Sequence, residues 1–312
     1  MPTLRTSIGT IAFTDEGSGP PVVLLHATLH DRSDYAPVHD ALAQGRRVLA
    51  IDWPGHGESP LPDDPRRAGA VHFGDVLEDF VDHLDLRNLV LVGNSVGGYA
   101  ACRLAITRSD RVAGLVIVNG SGFIRYNAFT RAFCAVMGRP AVVKAAFPVL
   151  VRAYMAAKTP QDKAIVERVV ARSKTTDGAR TAAALWESFP EPGNDLRGRA
   201  DRITAPTLIT WGARDLTGPV RWGKAVHAAI AGSSFCALPT GHVVFSSEPQ
   251  AWLDRVLPFI DAAQGARRPS AYSRTKGTSV PGASEQHTAW PQRELVTIPG
   301  VEDQRPAITP HA

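Results

Sequence analysis

The sequence predicts an α/β protein built on a mostly parallel, doubly wound sheet. Two kinds of stretch alternate along it. Short, continuously apolar runs such as Val22-Val23-Leu24-Leu25 and Val112 to Val118 read as strands covered on both faces. Helical stripes separate them, which implies right-handed crossovers between parallel strands. A third observation breaks the alternation: residues 124–200 contain several helical stretches and no convincing strand, so they read as an insertion.

Taken in order, Thr10 to Phe13 is a strand running into a turn at Asp15-Glu16-Gly17-Ser18-Gly19-Pro20. The strand Val22 to Leu25 ends at His26-Ala27-Thr28-Leu29-His30-Asp31. A helix from Tyr35 to Gln44 leads to the strand Val48 to Ile51, which ends at Asp52-Trp53-Pro54-Gly55-His56-Gly57-Glu58-Ser59. Apolar residues at 73, 76, 77, 80, 81 and 84 form a helical stripe. The strand Leu89 to Val92 then meets Gly93, Asn94 and Ser95, and a helix-forming run follows through Ala100, Ala101 and Leu104. Val112 to Val118 is the next strand and ends at Asn119-Gly120.

Within the insertion the helical stretches are Phe129–Met137, Ala141–Ala157, Asp162–Ser173 and Ala179–Trp186, punctuated by prolines at 140, 148, 160, 190 and 192. Alternation resumes with the strand Thr207 to Thr210, a helix over Val220–Ile230, the strand Ser234–Leu238 and a final helix. Ser247 is placed to cap that helix, with Gln250 as its reciprocal partner. From 265 to 312 periodicity disappears and Gly, Pro, Ser, Thr and charge dominate, as in a disordered tail. The expected organisation is therefore a core from 1–123 and 201–264, a helical insertion over 124–200, and the tail.

The net charge is +4 over 312 residues. Six basic and four acidic residues fall within 265–312, which leaves +2 for the rest. A nearly neutral body gives no electrostatic case for nucleic acid or a membrane as partner. Cys102, Cys134 and Cys236 match neither a disulfide framework nor zinc-ligand spacing and suit a reducing compartment. The first residues lack an apolar signal region. A cytoplasmic protein without metal or organic cofactor is expected.

The chemistry is concentrated at Gly93-Asn94-Ser95-Val96-Gly97-Gly98. A serine on a sharp strand-to-helix turn has a strained backbone and needs small neighbours two positions away on each side, the G-x-S-x-G pattern. Such a serine needs a base to take its proton and a third group to orient the base. His242, in Thr240-Gly241-His242, is the candidate base and Asp215, in Trp211-Gly212-Ala213-Arg214-Asp215, the candidate orienting acid. Both follow predicted strands directly, on loops at the sheet edge where Ser95 emerges, and ligands bind at that edge in open α/β sheets. The chain order is Ser, Asp, His.

Over roughly residues 8–262 the chain resembles α/β-hydrolase fold enzymes. The motifs in register are His26-Ala27-Thr28, Asp52-x-x-Gly55-x-Gly57-x-Ser59, the Ser95 elbow, Gly212-x-x-Asp215 and Gly241-His242. The resemblance implies a parallel sheet flanked by helices, with a helical cap inserted after the sixth strand. It implies catalytic residues Ser95, Asp215 and His242. It also implies an oxyanion hole from the backbone N–H of Val96 and one from the loop after Leu25, at Thr28 or Leu29, with Thr28 preferred. Ala27 stands where the family carries a glycine. By the same analogy His26, His56 and Asp52 hold loops, and His30 is a candidate for the entrance.

A serine nucleophile separates the chain from haloalkane dehalogenases and epoxide hydrolases, whose displacement chemistry needs a carboxylate. The elbow is similar to that of meta-cleavage-product C–C hydrolases, which carry an aromatic residue after the catalytic histidine where this chain has Val243. Cofactor-free haloperoxidases and perhydrolases share the triad. The leading expectation is a serine hydrolase cleaving a carboxylic ester or related acyl bond of a small or medium apolar substrate. Phe129, Phe133, Met137, Phe147, Tyr154 and Trp186 would form the cap's core or line its pocket. A non-catalytic ligand receptor on the same fold is the reading from a different class.

Overall fold

The computed structural model describes residues 1–62, 64–120 and 122–265. Of the expected tail only Gly265 falls among them; 266–312 lie outside the described residues. Eight strands form one sheet: β1 (Thr3–Arg5), β2 (Thr10–Gly17), β3 (Pro21–Leu25), β4 (Arg47–Ile51), β5 (Leu89–Asn94), β6 (Val112–Val118), β7 (Thr207–Gly212) and β8 (Ser234–Leu238). Their order is β1-β2-β4-β3-β5-β6-β7-β8. Pairing is antiparallel for β1/β2 and β2/β4 and parallel for the rest.

The apolar strands are continuous because both faces are covered. Alternate residues Val23, Leu25, Leu49, Leu91 and Ile117 join the cluster that contains α2 (Ala70–His83) and α3 (Val96–Thr107). Their neighbours Val22, Leu24, Val48, Val92 and Val116 join the opposite cluster, with α1 (Ala36–Ala43) and α10 (Pro249–Gly265). Each fully buried aliphatic side chain contributes roughly 1.5–3 kcal/mol relative to exposure.

The chain leaves β3 for β4 on one side and returns across it to β5 on the other. Winding therefore reverses at β3/β5, and the loops that follow these strands diverge to leave a crevice at their carboxyl ends. Between β6 and β7 come four helices, α4 (Ala128–Met137), α5 (Pro140–Met155), α6 (Pro160–Lys174) and α7 (Thr176–Ser188). After β7 the chain forms α8 (Val220–Ala229), β8 and the short α9 (Val244–Ser247) before α10.

Three local features differ from the sequence reading. The short β1 has no apolar run to announce it. β2 continues through Asp15-Glu16-Gly17 because those residues pair with Arg47–Leu49 of β4, and Asp15 accepts two hydrogen bonds from Arg47 at 2.8 and 2.6 Å. Ser247 does not cap the last helix. Its hydroxyl donates to the buried Asp162 carboxylate at 3.0 Å, while Gln250 donates to Asp254.

Candidate active site

The elbow geometry follows from its sequence. Gly93 closes β5 beside Asn94, and Ser95 precedes α3 with φ 56° and ψ −116°. That positive φ on a non-glycine residue costs on the order of 1–3 kcal/mol. The flanking glycines are steric requirements. A Cβ on Gly93 would lie 2.4 Å from the Gly97 carbonyl oxygen, and one on Gly97 would lie 2.3 Å from that of Leu25. The Ser95 N–H donates to Val118 O at 3.0 Å, which ties the elbow to β6.

Val96 is the first residue of α3, so its N–H has no partner of the i−4 kind inside the helix. In the loop after β3, the His30 N–H donates to Ala27 O at 3.2 Å and closes a turn with Thr28 and Leu29 at its centre. Leu29 takes the positive φ, 63°. Thr28 is buried.

Asp215 and His242 meet directly. His242 Nδ1 and Asp215 Oδ2 are 2.6 Å apart. Asp215 is buried, and its other oxygen accepts from the Thr217 N–H at 2.9 Å, the Thr217 hydroxyl at 2.8 Å and the Gly218 N–H at 3.0 Å. Burial pushes this carboxyl up, but the neighbouring His242 and the Thr217 donors outweigh it and hold the acid below its ordinary range. With an ionised carboxylate accepting at Nδ1, the imidazole carries its proton there and leaves Nε2 as the basic nitrogen.

Two asparagines absent from the sequence-level set complete the frame. Asn119, at φ 45° just past β6, donates to Asp215 Oδ2 at 2.7 Å and accepts from the Gly212 N–H at 2.8 Å. Asn94 donates to the carbonyls of His242 and Val118, each at 3.0 Å. The residue before Ser95 is thereby tied to the residue that would serve as its base. The only sequence signal for Asn119 was its place in an Asn-Gly pair closing a strand.

His26, His56 and Asp52 hold loops, in keeping with the sequence reading. The Trp53 N–H donates to His26 Nε2 at 3.1 Å, so His26 Nδ1 donates to Ala27 O at 2.7 Å. Burial drives this imidazole down to about 4 and pushes that of His56 in the same direction. Asp52 accepts from the N–H groups of Arg32 and Glu58, both at 2.9 Å. His30 is not at an entrance. It is buried, bonded through Nδ1 to Asp34 and through Nε2 to the Tyr154 hydroxyl at 2.9 Å. Among the insertion's aromatics, Phe147 and Tyr154 are buried, whereas Phe129 is 78% exposed and lines no enclosed site.

A surface cleft of about 430 Å³ lies beside the end of β4, lined by Asp31, Arg32, Asp52, Glu58 and Arg172 among others. It contains none of Ser95, Asp215 or His242. Among the described residues no group of three or more His, Cys, Asp or Glu side chains is arranged to hold a metal ion.

The strand order, the elbow and the Asp–His pair define an α/β-hydrolase. The chain belongs to the alpha/beta hydrolase family of enzymes, whose sequence pattern matches residues 22–256. A 2-hydroxy-6-oxononadienedioate/2-hydroxy-6-oxononatrienedioate hydrolase of Cupriavidus pinatubonensis is 30% identical over 231 residues, covering 69% of this chain and 78% of its own. An uncharacterized protein of Mycobacterium tuberculosis is 28% identical over 285 residues, covering 84% and 82%. In structure, a thermophilic esterase from Thermogutta terrifontis superimposes with a TM-score of 0.72 at 23% identity, over 84% of this chain and 98% of that one. That last likeness is one of fold.

Proposed function

We propose that the protein is a serine hydrolase that cleaves a carboxylic ester, or a related acyl bond, of a small to medium apolar substrate through an acyl-enzyme. One observation carries this reading: Ser95 sits at a strained elbow whose preceding residue, Asn94, is bonded to His242, and His242 is bonded to Asp215. In this mechanism Ser95 Oγ attacks the acyl carbon while His242 Nε2 takes its proton. The oxyanion forms against the N–H groups of Val96 and Thr28. Collapse expels the alkoxide, which leaves as the alcohol with the proton from His242. Water, deprotonated in turn by His242, then attacks the acyl-enzyme and releases the carboxylic acid and Ser95. Asp215 orients the base and stabilises its imidazolium form. The helices α4 to α7 act as the cap over the acyl site.

The similarity to the Cupriavidus pinatubonensis hydrolase favours a second reading, cleavage of the C–C bond of a 2-hydroxy-6-oxodienoate by the same residues. Val243, where that resemblance expects an aromatic residue, weighs toward ester chemistry. A p-nitrophenyl ester series from short to long acyl chains, assayed beside such a dienoate with Ser95→Ala as control, separates the two. Turnover of esters that vanishes in the variant supports the first reading. Turnover of the dienoate alone supports the second, and equal turnover in wild type and variant contradicts both.

A further inference from the structure

A second buried Asp–His pair stands beside the first, and one side chain touches both. His30 Nδ1 bonds Asp34, and its Nε2 lies 2.9 Å from the Tyr154 hydroxyl. With the Nδ1 proton donated to the carboxylate, Nε2 accepts from the phenol. The Tyr154 ring packs edge-on against His242, with centroids 5.1 Å apart and planes at 61°. Its backbone carbonyl accepts the His242 N–H at 3.0 Å. Tyr154 is next to last in α5, where carbonyls have no partner within the helix. The preceding loop residue is fitted to the same helix end, since a Cβ on Gly241 would lie 1.9 Å from Met155 O.

We infer that Asp34 and His30 act on the base through Tyr154, so that the three are positioning residues for His242. The inference rests on the serine-hydrolase reading and deepens it. α5 is the seat on which the His242 loop rests, and the His30 bond fixes that seat to the loop after β3. The clamp is anchored further: Arg168 of α6 donates to the second Asp34 oxygen at 2.6 Å. Next to the base, Ser246 and Ser247 donate to Asp162 of α6 at 2.5 and 3.0 Å. Two helices of the insertion thus clasp the base segment, which gives the insertion a part in setting imidazole geometry besides covering the site. The phenol carries the link because it is bonded to His30 and its ring is packed on His242.

The test is Tyr154→Phe, which keeps the ring and removes only the bond to His30, together with His30→Ala, His30→Gln and the Tyr154→Phe/His30→Ala double variant. Each is assayed for p-nitrophenyl ester turnover and for the rate at which a fluorophosphonate labels Ser95. The expected result for Tyr154→Phe and His30→Ala is about a tenfold fall in kcat and in labelling rate, with KM unchanged within about twofold. The double variant should be no worse than the worse single one, because both remove the same link. His30→Gln, which can still accept from the phenol, should recover most of the loss. Tyr154→Phe with wild-type kcat and labelling overturns the inference, as do losses confined to KM or to melting temperature. Absence of Ser95 labelling in the wild-type protein instead overturns the serine-hydrolase reading, and the inference falls with it.

Discussion

Asn119 donates its side-chain amide to Asp215 at 2.7 Å, on the same carboxylate oxygen that faces His242 Nδ1 at 2.6 Å. The amide fixes the carboxylate in the plane the imidazole requires, and its own oxygen is held by the Gly212 N–H. Replacing Asn119 with Ala frees Asp215 to rotate while leaving its Thr217 and Gly218 donors in place. Steady-state kinetics should show kcat down by about tenfold with KM nearly constant, the pattern for loss of an interaction felt in the transition state. Wild-type kcat would show that the other donors suffice.

Gly97→Ala decides between two opposing effects. A glycine in a helix usually gains up to about 1 kcal/mol on replacement by alanine. Here the new Cβ would lie 2.3 Å from Leu25 O, so α3 must shift away from β3. Clash should win, with a loss of roughly 1–3 kcal/mol in urea denaturation. Gly198→Ala is the control, because nothing lies within 4 Å of the added carbon.

Acid should weaken the fold through its buried histidines. In the unfolded chain His26 takes a proton near its ordinary value of 6.5, whereas burial delays protonation in the folded protein to about 4. Between those values the unfolded chain binds more protons, so stability is lost as pH falls through the window. The single group accounts for on the order of 3 kcal/mol across the full shift. His56 shifts in the same direction. Urea midpoints measured from pH 7.5 to 4.5 should fall steadily, and His26→Gln should flatten the slope whatever it does to the level. Asp215 has the same sense in a more acidic window: its depressed acid adds stability above the unfolded carboxylate value of about 3.9, and this is lost as pH falls through and below that value.

Asp162 joins two tasks in one buried carboxylate. It forms a capping box with Thr159 at the start of α6 and accepts the Ser246 and Ser247 hydroxyls just past His242. Asp162→Ala should cost about 2–4 kcal/mol: Thr159 still caps the helix, but the reciprocal half of the capping box is lost and two hydroxyls are stranded. Asp162→Asn should recover part of it. Thermal melts check the order; an alanine variant as stable as the asparagine variant would contradict it.

What the sequence discloses is what local pattern can encode. The elbow was legible because its glycines must stand within two residues of Ser95, and Asp215 and His242 because each directly follows a strand. The four helices between β6 and β7 were visible as stripes between prolines. Partners far apart in the chain leave no such trace. Asn119 looks like any turn asparagine until folding brings Asp215, 96 positions on, beside it. Tyr154 sits in an apolar stripe as an ordinary core residue, and its bond to His30 spans 124 positions. Ser247 read as a helix cap because its local spacing suited one, yet a buried carboxylate 85 positions away took the hydroxyl.

Ser95, as the proposed nucleophile of an acyl-enzyme mechanism, should be the residue that an active-site-directed phosphorylating agent modifies. Treatment with an organophosphate such as diethyl p-nitrophenyl phosphate, followed by intact-mass measurement and peptide mapping, identifies the modified residue. One adduct is expected, on Ser95, forming in step with loss of ester turnover and absent in Ser95→Ala. Full loss of turnover with the adduct on another residue, or undiminished turnover after Ser95 is fully modified, would contradict Ser95 as the nucleophile.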